Sequence, residues 1–287
     1  MSDALRWLTD DLPELRDPVL LIALDGFVDA GEVGESAALF LRHRWLAERV
    51  AELDGDTYLD YRARRPTAVV DAGVVNRVEW PRIELSAARL DGPRDAVLLI
   101  GPEPDMRWRQ LVDDVAEACR RLGVRRAVTL GAYPAAAPHT RPVTISYAGN
   151  AADDGAGAFE ATAVGGYSGP VGAATALQAE LAVHGVAVLG LFAEVPHYIA
   201  ASPYPPGSLA MVRAVADLLE VDLDTDELET AARLHAERVD EAISEHDEAA
   251  EMVAGLEQLR DEGGAEPDLP SGDDLADEIE RFLGAEE

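Results

Sequence analysis

Lysine is absent from this sequence: all 24 of its basic residues are arginine. That excludes chemistry needing an ε-amine, including Schiff bases and the phosphate-gripping lysine of Walker loops. Positive charge is scarce altogether, since 55 acidic residues leave a formal charge of −31. Such a field repels phosphate backbones and anionic lipid, so neither nucleic acid nor a membrane is an expected partner. Cysteine is reduced to Cys119, which rules out an internal disulfide. It falls on the apolar stripe Trp108, Leu111, Val115, Cys119, Leu122 of a predicted helix and is expected to be a buried core thiol. Long apolar runs are missing too. No stretch suits a membrane span or a signal h-region, and Met1-Ser2-Asp3 opens the chain without basic residues, so a cytoplasmic location is expected.

What is present is an apolar fraction of 48% in short runs, spread along the chain as far as Val221. Val19 to Leu24, Ala96 to Ile100, Ala127 to Leu130 and Val186 to Phe192 are too short for helices and read as buried, parallel strands. Between them lie helical spacings: Val33, Ala37, Phe40, Leu41, Trp45; the Cys119 stripe; Ala174, Leu177, Leu181; and Leu209, Val212, Ala216, Leu219. This alternation predicts an α/β fold, a three-layer α/β/α sandwich with a mostly parallel or mixed sheet. Val50 to Leu53, Thr57 to Tyr61, Val69 to Asp71 and Ile83 to Ala88 are expected to add strands. The domain reading is an α/β domain over 1–224, one long helix over 225–261 starting at Thr225, an acidic linker over 262–272 and a short amphipathic helix over 273–287. The long helix carries a narrow seam of Leu228, Ala232, His235, Val239, Ala242, His246, Val253 and Leu256, expected to pack on the domain or on a neighbouring subunit.

Ligands of open α/β sheets lie beyond the carboxyl ends of the strands, so the residues just after each run matter most. The first run leads into Asp25-Gly26-Phe27-Val28-Asp29, where Asp29 could serve a ligand or cap a helix. Next come Glu103, between Pro102 and Pro104, and Asp105 just after them, two carboxylates in a loop stiffened by the prolines, with Asp105 read as either a held carboxylate or a cap for the following helix. The third run leads to His139, Thr140 and Arg141 between prolines, a combination suited to an anion or a carboxylate. The fourth ends in Glu194, His197 and Tyr198, and His139 and His197 are expected to converge at one sheet edge. No histidine pair has ligand spacing, so no metal site is expected and no cofactor is implied. The glycine-rich stretch Gly165 to Gly172 could offer free N–H groups to an anion, but Pro170 spoils a serine-hydrolase elbow at Ser168. Arg62-Ala63-Arg64-Arg65 is the basic cluster, read as ion pairs or as a place where Arg64 meets an acidic ligand, and Trp80 is read as either a pocket wall or a core residue.

Taken in order, Asp25 to Gly31, Asp60-Tyr61-Arg62-Ala63-Arg64-Arg65-Pro66, Gly101 to Asp105, Pro138-His139-Thr140-Arg141-Pro142 and Pro196-His197-Tyr198 make the chain resemble the proteasome assembly chaperone 2 family in its actinobacterial form. The resemblance implies a fold similar to nucleoside phosphorylases and hydrolases, a homo-oligomer and an assembly or protein-interaction role, and it brings no catalytic residue with it. Eukaryotic relatives dock on proteasome rings through a hydrophobic-Tyr-any tail. This sequence ends Phe282-Leu283-Gly284-Ala285-Glu286-Glu287, so docking by that tail is not expected. The competing expectation is a small-molecule enzyme or binder with an anion-binding pocket at the strand ends.

Overall fold

The four apolar runs become the four central strands of one sheet, and their burial on both faces explains why they lack polar alternation. The computed structural model describes residues 4–71, 73–149, 162–163 and 168–262. In chain order the strands are β1 (Leu5–Trp7), β2 (Val19–Asp25), β3 (Glu48–Leu53), β4 (Thr67–Asp71), β5 (Val74–Glu79), β6 (Ile83–Ala88), β7 (Ala96–Pro102), β8 (Arg126–Ala135), β9 (Ile145–Gly149), β10 (Thr162–Ala163) and β11 (Ala187–Pro196). The α-helices are α1 (Val33–Arg44), α2 (Gly55–Tyr58), α3 (Trp108–Leu122), α4 (Ala173–Leu181), α5 (Pro205–Leu219), α6 (Asp226–Ser244) and α7 (Asp247–Asp261).

Among the described residues the main sheet runs β1-β3-β6-β7-β2-β8-β11-β9-β10. Its middle, β7-β2-β8-β11, is parallel. The flanks bring in antiparallel pairs, β1-β3, β3-β6 and β6-β7 on one side and β11-β9 on the other, so the sheet is mixed. The period of two along β2 divides the core. Leu20, Ile22 and Leu24 face one layer with Leu111, Val115 and Cys119 of α3 and Leu177 and Leu181 of α4. Val19, Leu21 and Ala23 face the other with Val33, Ala37 and Leu41 of α1 and Met211, Val212 and Val215 of α5. The result is the expected α/β/α sandwich, and Cys119 is buried within it, its thiol pushed up to about 12 by desolvation. Among the described residues no helix is long and apolar enough to cross a membrane.

Two elements depart from the sequence reading. Thr57 to Tyr61 is not a strand: residues 55–58 form the short helix α2. The hydroxyl of Thr57 donates to the Asp54 carboxylate at 2.6 Å, a local bond that offers the backbone a turn in place of a ladder. The helix expected over 225–261 is two helices, because His246 is extended (φ −135°, ψ 105°) and breaks it. Asp247 and Glu248 then occupy the first turn of α7, where the helix dipole favours carboxylates. Of the expected seam, Ala232, Val253 and Leu256 are buried, but Ala242 and His246 are exposed because the break ends the repeat there. The amphipathic piece over 273–287 and Gly165, Gly166 and Tyr167 lie outside the described residues.

Close approach of α1 to the sheet depends on Gly34, where an added Cβ would meet the Leu130 carbonyl oxygen at 2.5 Å. Gly34→Ala is therefore expected to destabilise the fold by about 1–3 kcal/mol as α1 is pushed outward. Urea unfolding of the variant against the parent measures this.

Candidate functional site

The ends of β2 and β7 carry the first cluster. Arg64, from the turn after α2, donates Nη1–H to Asp25 Oδ1 at 2.9 Å. Its Nε lies 3.5 Å from Asp105 Oδ1, close enough for an ion pair but too poorly aligned for a hydrogen bond. Asp105 does not cap α3 as the sequence suggested. Its Oδ2 accepts the Asp60 N–H at 2.8 Å, which ties the arginine-bearing turn to the loop after β7. Asp25 also accepts the Glu103 N–H at 3.0 Å, and Glu103 Oε1 accepts the Ala173 N–H at 2.6 Å, at the start of α4. The helix terminus that the sequence offered to an anion thus holds one of the chain's own carboxylates. Asp29 takes the capping role: its two oxygens accept the Gly34 and Glu35 N–H groups at 2.6 and 3.1 Å. Burial raises its pKa to about 6, outweighing those two bonds. Glu35 is also raised, by desolvation first and then by Asp25, Asp29 and Glu32.

The second cluster lies beyond β8 and β11. The rings of His139 and His197 both pack edge-on against Tyr198, so the expected convergence of the two histidines occurs around this phenol. His139, with its side chain only 3% exposed, sits 3.0 Å through Nε2 from Asp240 on α6. A carboxylate accepts only, so Nε2 carries a proton towards Asp240, while Nδ1 lies 2.7 Å from the Tyr198 hydroxyl. The Tyr198 oxygen in turn accepts the His139 N–H at 2.8 Å, and burial raises the pKa of this phenol. Arg141 forks onto Asp261 of α7 at 3.0 and 2.7 Å and reaches Glu257 at 3.1 Å, while Thr140 donates to Glu257 as well. Those partners hold the guanidinium charged, Asp261 first. Glu194, buried in β11, is met at 3.0 Å by Arg260, which also donates to Thr144. His197 stands 3.3 Å from the Ala135 carbonyl.

Ten candidate positions therefore sort into two groups. Asp25, Asp29, Arg64 and Glu103 form one; His139, Thr140, Arg141, Glu194, His197 and Tyr198 form the other. The helices α6 and α7 pack in cis across the second group, with the His235 ring 5.5 Å from the ring of buried Tyr204. Burial, then Arg238 and His139, lowers the pKa of His235. Asp240, Glu257, Arg260 and Asp261 were not foreseen as partners. Their only sequence signal was the acidic surplus of the arm, which does not say which carboxylate meets which arginine. Trp80 proves neither buried nor part of these clusters: it is 50% exposed and packs on Tyr61. Among the described residues no group of three or more His, Cys, Asp or Glu is arranged to hold a metal ion.

The PAC2 family profile matches residues 23–243, a span containing all ten candidate positions but not their partners Glu257, Arg260 and Asp261 on α7. The chain belongs to the PAC2 family. A PAC2 family protein from Streptomyces avermitilis is 36% identical, with a TM-score of 0.74 over 83% of this chain and 100% of its own. A Mycobacterium tuberculosis proteasome-assembly chaperone homologue is 35% identical, with a TM-score of 0.74 over 82% of this chain and 99% of its own. A Corynebacterium glutamicum protein of unknown function, 29% identical, has a TM-score of 0.84 over 91% and 98%. No curated protein matches.

In this PAC2 chain the buried Asp29 links stability to pH. Its carboxyl titrates near 3.8 when unfolded and near 6 when folded, so the folded state holds the proton more tightly and stability is lost as pH rises through about 6. Asp29→Asn keeps an acceptor and removes that loss. Between pH 5 and pH 8 the stability difference is expected to shift in favour of the variant by about 1 kcal/mol, read from urea unfolding at both values. The double variant Arg141→Ala/Arg260→Ala removes both guanidinium ties on α7. Amide exchange over 247–261 is expected to accelerate several-fold while the central strands keep their protection, as followed by hydrogen-exchange mass spectrometry.

Proposed function

We propose that this PAC2 chain is an assembly or protein-interaction factor rather than a small-molecule enzyme. The observation that carries this reading is where the polar groups at the strand ends go. His139, Arg141 and Glu194 bind Asp240, Asp261 with Glu257, and Arg260 of the chain's own α6 and α7. Asp25, Arg64 and Glu103 bind one another and the start of α4. A site for an anionic metabolite needs a cation with free hydrogen-bonding capacity facing a cavity. Here Arg64, Arg141 and Arg260 are each ion-paired with internal carboxylates, which serves rigidity, and the donor left without a hydrogen bond, Arg64 Nε, is itself buried 3.5 Å from Asp105. The likeness to a chaperone homologue at 35% identity, over 82% of this chain and 99% of that one, supports the same reading. The partner class we assign is protein, recognised by the outer surface of the sandwich and its helical arm.

The test sets protein against metabolite. Full-length chain is mixed with purified proteasome core particles from its host and, separately, with a panel of carboxylate and phosphate metabolites. Saturable, stoichiometric binding of the core particle with an unmoved Tm across the metabolite panel is the expected result. A metabolite that raises Tm by several degrees, with the rise lost in both Arg141→Ala and His197→Ala, would overturn the reading in favour of a ligand pocket.

A further inference from the structure

Helix α7 lies across the loop after β8 and the end of β11, held there mainly by charge. Of its 15 residues Val253 and Leu256 are buried, and neither joins either core cluster. Its middle carries Gly255, where an added Cβ would meet nothing within 4 Å among the described residues. No close approach requires that glycine, so it weakens the helix without any packing gain. At the start of α7 the backbone is extended at exposed His246, a break that separates its movement from that of α6. A helix of this length is marginal in water by itself. What ties it down are Arg260 on Glu194 and Arg141 on Glu257 and Asp261, with the two arginine side chains 36% and 33% exposed. Pairs so open to solvent add little singly, and elements held in this way are the first to detach.

What α7 presents to the body is a pattern. Val253, Leu256, Glu257, Arg260 and Asp261 recur at spacings of three and four and so lie on one face of the helix. The floor beneath answers the polar members in turn: Arg141 takes Glu257 and Asp261, Thr140 donates to Glu257, and Glu194 and Thr144 receive Arg260. Glu194 makes the floor selective. Only 8% of it is exposed, and a buried carboxylate left without its cation is costly. A small anion could satisfy Arg141 but would strand Glu194. A helix carrying both signs at this spacing satisfies both, and two apolar side chains on the same face refill the places of Val253 and Leu256.

We propose that the floor of Thr140, Arg141, Thr144 and Glu194 is a recognition groove for a helix of a partner protein, and that α7 is the chain's own stand-in for that helix. The partner's helix carries the order apolar-x-x-apolar-acid-x-x-Arg-acid. In the free chain α7 fills the groove, and the partner displaces it by repeating its contacts. This rests on the protein-interaction role argued above and names the partner's chemistry. Core-particle binding without helix binding would leave that role standing and sink the groove.

The experiment is fluorescence anisotropy with the full chain and two labelled probes, with circular dichroism checking the fold of each variant. One probe is a peptide of residues 247–262; the other is an alanine-based host helix bearing only the five face residues at their native spacing. Glu257→Gln/Asp261→Asn in the full chain loosens α7 and leaves the floor intact. It is expected to bind both probes at least about fivefold more tightly than the parent, because more of it is open. Arg141→Ala loosens α7 as well but removes the cation of the floor, and is expected to bind at least about tenfold more weakly than that double variant. Gly255→Ala acts with opposite sign in the two molecules: in the chain it is expected to weaken binding about fivefold, and in the peptide to strengthen it about fivefold. Absence of saturable binding to the double variant, equal affinity of the parent and the double variant, or equal affinity of Arg141→Ala and the double variant overturns the proposal. Binding of the native peptide but not of the host helix would show that the charge pattern is not what the groove reads, and overturns it too.

Discussion

The constraint on which the rest depends is burial of the parallel strands β7, β2, β8 and β11 on both faces. Leu20 and Ile22 on one side and Leu21 and Ala23 on the other are all sealed from water, so β2 has no polar face to offer. Polar function is therefore expelled to the strand ends and the loops that follow them. The same burial sets the close approach of α1 at Gly34 and obliges Asp29, itself buried, to satisfy the first N–H groups of that helix.

At those strand ends the chain's charge imbalance takes over. With carboxylates in more than twofold excess over guanidinium groups, a cation near the sheet edge meets a carboxylate from its own chain before any ligand. Arg64 joins the loops after β2 and β7, and Arg141 and Arg260 bind the helical arm to the loop after β8 and to β11. Pairs exposed as these are add little stability singly. Acting together across two loops they fix where α6 and α7 lie, and so which outer surface the molecule presents. The β4–β5 hairpin differs from this pattern: Val70, Val75 and Val78 stay exposed, and Arg62 and Arg65 make no ion pair among the described residues.

The sequence by itself determined the sandwich and its central strands, because two-faced burial writes continuous apolar runs and amphipathic helices write three-four spacing. Asp29 as a cap, Cys119 as core and the meeting of His139 with His197 were also legible, since each depends on local pattern or on loops that follow neighbouring strands. Only the tertiary structure decided the rest. Thr57 to Tyr61 alternates like a strand, yet an Asp54 to Thr57 bond turns it into a helix. The arm keeps helical spacing through His246, yet breaks there. The carboxylates that claim Arg141 lie 116 and 120 residues away. Sequence pattern carries near-neighbour geometry, whereas the pairing of distant charges depends on which loops the closed sheet brings side by side.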